Sequence, residues 1–307
     1  MALYLGIDVG GTAIKGVVID EKGLLFGEDS VPTATGEKIV DSIATLCNRL
    51  MKSVKEEVKG IGIGCAGVID SEGGKVVLAR NLSLADFPLV KLLQKKINLP
   101  VKITNDANAA ALGEAKFGAG KNYKNSILVT LGTGVGGGIV IDGKLFEGNK
   151  SAGAEIGHMV IERDGELCSC GRRGCFEAYS SATALKRQTK RAMEEDAGSA
   201  MWKSYTSETV TGKTAFEYRN TDMTAKKVVD RYIEYLGCAL VNLANIFRPE
   251  VIMLGGGVSK EGENLTVPLQ EILNREMFAP EYAPVKVTVA TLGTLAGSYG
   301  GAALFID

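Results

Sequence analysis

One stretch of this chain is written twice. LYLGIDVGGTAIKGVVIDEKGLLFG near the start and SILVTLGTGVGGGIVIDGKLFEG in the middle share one order: strand, glycine turn, strand ending in Ile-Asp, glycine-containing turn, strand. Gly16-Val17-Val18-Ile19-Asp20 corresponds to Gly138-Ile139-Val140-Ile141-Asp142, with nearly the same number of residues between the landmarks. A repeated ββ-turn unit predicts two related lobes, since the same local pattern builds the same hairpin in both places. The chain of 307 residues is long enough for one large or two ordinary domains with a proper core.

The segments around the two copies read as mixed α/β. From Ile39 to Val54 apolar residues recur at intervals of three and four, the period of an amphipathic helix. A buried strand at KGIGIGCAG follows, then a helix near Leu89 to Ile97, a strand at VKITND and an Ala-rich helix beginning at Ala107. Beyond the second copy the pattern predicts a long helix from Ala225 to Phe247, a strand at VIMLGGGVS, a helix from Leu265 to Met277, a strand at VKVTVATLG and a final helix from Leu295 to Phe305. The polar stretch from Glu194 to Thr224 reads as a surface excursion, helical in places and without chemistry of its own. A net charge of −1 favours neither nucleic acid nor an anionic membrane, and no apolar run has the length of a membrane span.

The single histidine, His158, precedes three of the six cysteines in GAEIGHMVIERDGELCSCGRRGCFEAYS. Cys47, Cys65 and Cys238 have apolar neighbours and read as core residues. Cys168, Cys170 and Cys175 instead alternate with glycine and arginine, and with His158 they make a four-donor set suited to structural zinc. The competing readings are a disulfide or idle thiols. An odd count and the absence of a secretory segment before the first strand weigh against a disulfide and imply a reducing cytosol.

The 39 glycines gather at the ends of strand-like runs. Gly132-Thr133-Gly134-Val135-Gly136-Gly137 fits a dinucleotide fingerprint, but a strand rather than a helix follows it. Gly138 to Lys144 has P-loop spacing, yet Leu145 stands where Ser or Thr would bind Mg²⁺. What remains is a pair of glycine- and threonine-rich hairpin turns, Gly10-Gly11-Thr12 and Gly132-Thr133-Gly134, with a third cluster at Gly255-Gly256-Gly257. One such turn needs glycine for geometry alone. Duplicated turns with a third cluster point to a phosphate cradle for a nucleotide. Asp8, just before the first turn, is either a Mg²⁺ anchor acting through water or a strand-end cap. Asp106 is likewise either a helix N-cap or a carboxylate presented as a base for a hydroxyl proton.

Taken together, DVGGT at Asp8 to Thr12, NDAN at Asn105 to Asn108, LGTGVGGG at Leu131 to Gly138, and GAEIGH followed by CSCGRRGCFE up to Glu177 resemble the ROK (repressor, ORF, kinase) family over almost the whole chain. The resemblance implies a duplicated ribonuclease-H-like, actin-like ATPase fold of two lobes with an interlobe cleft. The lobes would be residues 1–118 plus 293–307 and residues 119–292, the second carrying the zinc loop. It implies an ATP-dependent sugar kinase with Asp106 as base and sugar contacts from Gly67, Asn81, Asn105, Glu155, His158 and Glu177. It implies ATP and Mg²⁺ at Asp8, Gly10, Gly11, Thr12, Lys15, Gly132, Thr133, Gly134, Gly256 and Gly257, and structural Zn²⁺ at His158, Cys168, Cys170 and Cys175. A cytoplasmic homodimer acting on a hexose is the corresponding expectation: glucose foremost, with N-acetylmannosamine, fructose, allose or a β-glucoside as alternatives.

The family also contains transcriptional repressors. Those carry a winged helix-turn-helix before the first strand, for which a strand starting at Leu3 leaves no room. Two departures stand out. Many members have Lys directly after GGT, where this chain has Ala13, so Lys15 is the nearest basic residue. The last strand-to-helix junction reads Gly293-Thr294-Leu295-Ala296-Gly297, without the Asp common in glucokinases.

Overall fold

The computed structural model describes residues 2–306. The chain divides into two compact units. One takes the chain up to Leu128, Gly138–Ala154 and the chain from Ala290 on; the other takes Val129–Gly137 and Glu155–Val289.

The chain opens with β1 (Leu3–Val9), β2 (Ala13–Asp20), β3 (Leu25–Pro32), α1 (Ile39–Ser53) and β4 (Val58–Cys65). Three short strands follow, β5 (Val68–Asp70), β6 (Lys75–Ala79) and β7 (Leu84–Phe87), then α2 (Leu89–Gln94), β8 (Val101–Asn105) and α3 (Asp106–Phe117). The second copy supplies β9 (Ser126–Leu131), β10 (Val135–Ile141) and β11 (Lys144–Phe146). Beyond the cysteine loop come α4 (Glu177–Ser180), α5 (Ala182–Glu195), α6 (Thr214–Tyr218), α7 (Met223–Phe247), β12 (Val251–Gly255), α8 (Glu263–Glu276), β13 (Lys286–Val289) and α9 (Ala296–Ala303).

The duplication is visible in the sheets. One has the order β3-β2-β1-β4-β8, the other β11-β10-β9-β12-β13. In each, hairpin strands pair antiparallel (β1 with β2, β10 with β11) and the strands entered from helices pair parallel (β1 with β4 and β4 with β8, β12 with β13). Parallel strands need a crossover, which the intervening helices provide.

One face of the first sheet is oily in the ordinary way. Leu3, Leu5, Ile7 and Val9 of β1 pack with Ile39, Ile43, Leu46 and Leu50 of α1, all at most 2 % exposed. Each such side chain contributes about 1.5–3 kcal/mol by leaving water. The other face is built differently. The last helix, α9, reads AGSYGGAA, and all eight of its residues are buried. Three glycines make it a poor helix former, so its helicity comes from packing rather than propensity. A Cβ on Gly6 of β1 would overlap the Ser298 carbonyl, and one on Gly62 of β4 the Gly301 carbonyl. Gly300 stands in the same relation to the Ala109 carbonyl of α3. The backbones of α9, α3 and the two central strands therefore touch directly, with no side-chain layer between.

Two features were not readable beforehand. The small sheet β5-β6-β7 escaped because its strands are three to five residues long, too short for a periodic signal. The stretch from Glu194 to Thr224 is helical in places as expected, but it is more than a surface excursion. Met201 and Val210 are buried and pack with Met193 and Ala225, with Trp202, Tyr205 and Tyr218 alongside. Among the described residues no helix is long and apolar enough to cross a membrane.

Gly62→Ala should test the direct contact between β4 and α9. Because the overlap is with a carbonyl held in a helix, the neighbour cannot yield cheaply, and a loss of about 3 kcal/mol is expected. Urea unfolding measures it. An unchanged midpoint would mean that α9 can ride further from the sheet.

Candidate active site

The first unit gathers its candidate side chains where β1, β4 and β8 end, the end at which open parallel sheets hold ligands. Asp8 pairs across the hairpin with Lys15, so the two side chains share a face of the sheet. Asp8 also pairs with Gly64 of β4. A Cβ on Gly64 would lie 3.6 Å from the Asp106 Cα, and one on Gly297 only 2.8 Å from the Asp8 carboxyl carbon. Glycines on two elements thus make room for a pair of neighbouring carboxylates.

The capping question is resolved by Asn105. Its side-chain oxygen accepts from the Ala107 and Asn108 N–H groups, at 2.8 and 3.3 Å, making Asn105 the N-cap of α3. Asp106 is the first helical residue and is left to be presented, its Oδ1 taking the Ala107 N–H at 3.0 Å. The Asn105 amide donates to the Gly67 carbonyl at 3.0 Å. Gly67 has φ +115°, and a Cβ there would overlap the Leu78 carbonyl, so glycine is required at this point. Asn81 is exposed, and its amide nitrogen would be 3.5 Å from a Cβ on Gly11. The first glycine turn is closed by the Gly10 N–H donating to the Ala13 carbonyl, while Thr33 donates through its hydroxyl to Gly10 and through its N–H to Thr12.

Burial pushes the Asp8 carboxyl up to about 6; the charge of Asp106 adds to the rise and Lys15 opposes it. Burial raises Asp106 as well, against the lowering effect of the Ala107 N–H and the Asn105 side chain. Beside this pair the Cys65 thiol is pushed up to about 12, mainly by burial, so it stays a protonated core residue.

The second unit assembles another set. The turn Gly132-Thr133-Gly134 is stitched to the start of α5: the Ala182 N–H donates to the Gly132 carbonyl at 2.8 Å and the Thr183 hydroxyl to the Thr133 carbonyl at 2.7 Å. Gly256, at φ +85°, lies over the end of β9, where a Cβ would come within 2.5 Å of the Leu131 carbonyl oxygen. Gly257 faces open space. The turn and the third glycine cluster therefore lie together, next to a helix N-terminus of the kind that attracts anions.

Gly157 lets the turn bearing Glu155 and His158 lie on β10, since a Cβ there would overlap the Val135 carbonyl. Glu155 is exposed, and its carbonyl accepts from the His158 N–H at 3.0 Å. Glu177 opens α4 and holds three neighbours: one oxygen takes the Val135 N–H at 3.1 Å, the other the Ser169 hydroxyl at 2.7 Å and the Cys168 thiol at 3.8 Å. It is thus a tether between the second glycine turn and the cysteine loop, a role the sequence did not reveal.

His158, Cys168, Cys170 and Cys175 bring their donor atoms within 4.8 Å of one another. Cys170 and Cys175 have their sulfurs 3.7 Å apart, and the Cys168 sulfur lies 3.7 Å from His158 Nδ1. Zn–S bonds of about 2.3 Å in a tetrahedron put sulfurs about 3.8 Å apart, so the set fits zinc. A disulfide, at about 2.05 Å, is excluded. The ring nitrogen left over is Nε2.

Sequence reading also passed over Gly212 and Lys213. A Cβ on Gly212 would sit 3.3 Å from the Ala182 carbonyl, which places this loop beside the second glycine turn. The charge of Lys213 reaches Glu261, just past the third glycine cluster, and works against the burial that raises that carboxyl. Thr211-Gly212-Lys213-Thr214 was the signal available, in a segment without periodicity.

A family model described as the ROK family matches residues 4–307. This chain belongs to the ROK family. It is 39 % identical to a glucokinase of Halalkalibacterium halodurans over 97 % of this chain and 93 % of that one. Among solved structures, a ROK family glucokinase from Streptomyces griseus in complex with glucose and AMPPNP is 37 % identical, covers 98 % of both chains and superposes with a TM-score of 0.81. A ROK hexokinase from Thermus thermophilus is 31 % identical, with a TM-score of 0.85 over 98 % of this chain and 97 % of that one. These likenesses bear out the two-lobe actin-like α/β fold.

Asp8→Asn should stabilise the protein in the absence of magnesium and nucleotide. A carboxyl whose pKa is raised by folding keeps its proton in the native state after the unfolded chain has lost it, so wild-type stability falls as pH rises from about 4 to about 6. A shift of about two units corresponds to about 3 kcal/mol at most, and a gain of about 1–3 kcal/mol at pH 7.5 is expected. Urea unfolding at pH 7.5 and pH 4 checks this. The gain should vanish at the lower pH.

Proposed function

We propose that this ROK protein is an ATP-dependent hexose kinase that transfers the γ-phosphoryl group of ATP to the primary hydroxyl of glucose. The observation that carries the reading is the freed Asp106: Asn105 takes the capping duty, and Asp106 stands beside Asp8 at the strand ends. Asp106 accepts the proton of the sugar hydroxyl as its oxygen attacks the γ-phosphorus. The bond from that phosphorus to the β–γ bridging oxygen breaks, and ADP leaves. Most of the rate in such a transfer comes from positioning and charge stabilisation, which the remaining residues provide.

On this reading the first unit supplies Gly10, Gly11, Thr12 and Lys15 for the phosphates, and Gly67, Asn81 and Asn105 for the sugar. The second supplies Gly132, Thr133, Gly134, Gly256 and Gly257, joined by Gly212 and Lys213, for the nucleotide. It also supplies Glu155, His158 and Glu177 for sugar hydroxyls. Glu177 already holds three donors, the Cys168 thiol at 3.8 Å among them, yet each carboxylate oxygen accepts more than one hydrogen bond. Mg²⁺ bound through water at Asp8 would neutralise phosphate charge. Zn²⁺ held by His158 Nδ1 and the three cysteines would fix the loop that presents Nε2 of His158. A homodimer in the cytoplasm completes the reading, carried by the resemblance alone.

A coupled assay against glucose, N-acetylmannosamine, fructose, allose and a β-glucoside should give turnover with glucose highest. No turnover on any member would sink the kinase reading. Asp106→Asn should lower kcat by about 10³-fold or more while leaving nucleotide affinity within a few-fold. Because burial raises Asp106, the acid limb of kcat/KM should lie above the ordinary carboxylate range, with activity falling as pH drops through it. Metal analysis should find one zinc per chain, lost in Cys170→Ser; zinc-free wild type with unchanged glucose KM would refute the structural metal.

A further inference from the structure

Away from these residues, the second unit holds a cavity of about 380 Å³ between α5 and α7. Arg187, Gln188, Arg191 and Glu195 line it from α5, Lys227 and Arg231 from α7. One wall is a pair of tyrosine rings, Tyr179 and Tyr235, with centroids 4.3 Å apart. A neighbouring recess of about 460 Å³ shares that wall along with Glu166 and Arg231.

The polar groups here are unevenly satisfied. Glu166 holds Arg191 at 2.9 Å and Arg187 at 4.0 Å. Arg187 also donates through Nη2 to the Ala178 carbonyl at 2.6 Å, but its Nε is buried with no acceptor. Arg231 spends one donor on the Tyr235 hydroxyl at 3.2 Å. Gln188 spends its amide nitrogen on the Tyr179 carbonyl at 2.8 Å, leaving its oxygen unused. Among the described residues, the side chains of Lys227 and Glu195 have no hydrogen bond or ion pair.

These leftovers are two kinds of chemistry in one cavity. Arg187 Nε, Lys227 and Arg231 are cationic donors in want of an anion; Glu195 and the Gln188 oxygen are acceptors in want of hydroxyl protons. A bare anion would face Glu195 with nothing between them, and a neutral sugar, although a hydroxyl oxygen could accept from the buried Arg187 Nε, would bring no charge to meet Arg187, Lys227 and Arg231. A molecule with a phosphate at one end and hydroxyls at the other satisfies both, with its C–H face on the tyrosines. The volume is within the range of small-molecule sites.

We propose that this cavity binds a phosphorylated monosaccharide and thereby regulates the sugar site. Tyr179 lies two residues after Glu177, packs with Cys168 and Cys175, and accepts the Glu166 N–H at 2.7 Å. Glu166 in turn is two residues before Cys168. A phosphate that draws Arg187 and Arg191 off Glu166 loosens an anchor of the loop that carries His158. If the protein is a hexose kinase, as proposed above, the ligand is of the class of its own product, and the device is feedback.

Calorimetric titration of the wild-type protein with glucose 6-phosphate, inorganic phosphate and glucose, repeated on Lys227→Glu and Glu195→Gln, tests this. Lys227 and Glu195 are exposed surface residues, so both variants should fold. Wild type is expected to show a glucose 6-phosphate site that Lys227→Glu weakens tenfold or more. Lys227→Glu should also lose the part of glucose 6-phosphate inhibition that excess glucose does not overcome, with kcat and KM within twofold of wild type. Glu195→Gln should weaken the sugar phosphate while leaving inorganic phosphate unaffected. Identical isotherms in wild type and Lys227→Glu would overturn the proposal, and so would equal affinity for inorganic phosphate and glucose 6-phosphate. A Lys227-sensitive site in a protein that phosphorylates no hexose would overturn only the kinase reading.

Discussion

Backbone contact without side chains is the constraint on which the first unit depends. Where Gly6 and Gly62 meet α9, and Gly300 meets α3, the elements approach to a distance that any Cβ would prevent. Dispersion falls steeply with separation, so this approach gains contact energy, but it can be realised only by a chain that gives up side-chain packing there. Its consequence is chemical. Helices so close to the strand ends leave Asp8 and Asp106 half-buried in a place made for them by Gly64 and Gly297. Desolvation then raises both carboxyls, which no amount of local sequence could do. On the proposed reading, stability and activity pull against each other at Asp8, since the charge that would anchor a cation is costly to the fold by itself.

The second unit solves a different problem with the same economy of means. The cysteine loop, rich in glycine and arginine, has only a small apolar cluster around Cys168, Cys175 and Tyr179, so much of its order comes from tethers. Glu177 is the central one, with one oxygen on the glycine turn and the other on Ser169 beside the cysteines. Tyr179, two residues on, holds the loop by accepting the Glu166 N–H and lines the cavity between α5 and α7. The second glycine turn and the cysteine loop are therefore mechanically joined through one short helix, α4. Sites coupled in this way respond together when either is filled, provided the two states differ in affinity.

Much of this was readable in advance. The repeat around Gly16–Asp20 and Gly138–Asp142 announced two similar sheets, and the sheets have the same strand order. The Cys-x-Cys and His158 spacing announced a four-donor cluster, and the donors do converge. What escaped was of two kinds. The strands β5 to β7 are too short for periodicity to register. Gly212 and Lys213 sit in a segment with no pattern, and their nearness to the second glycine turn is a long-range contact with Ala182. The two possible roles of Asp106 could not be separated from sequence either, because Asn and Asp are both good caps and stand side by side.

The amino-acid sequence by itself determined the duplication, the order of elements, the residue types of each site and the family. These are local or statistical properties, written in periodicity, turn residues and motif spacing. Only the tertiary structure decided which residue caps α3, which carboxyl is raised, what Glu177 holds and which arginine nitrogen lacks an acceptor. Each of those depends on distances between groups remote in the chain, or on the removal of water by neighbours that sequence order does not name. A pattern specifies which groups are available; the packing specifies which of them remain free to act.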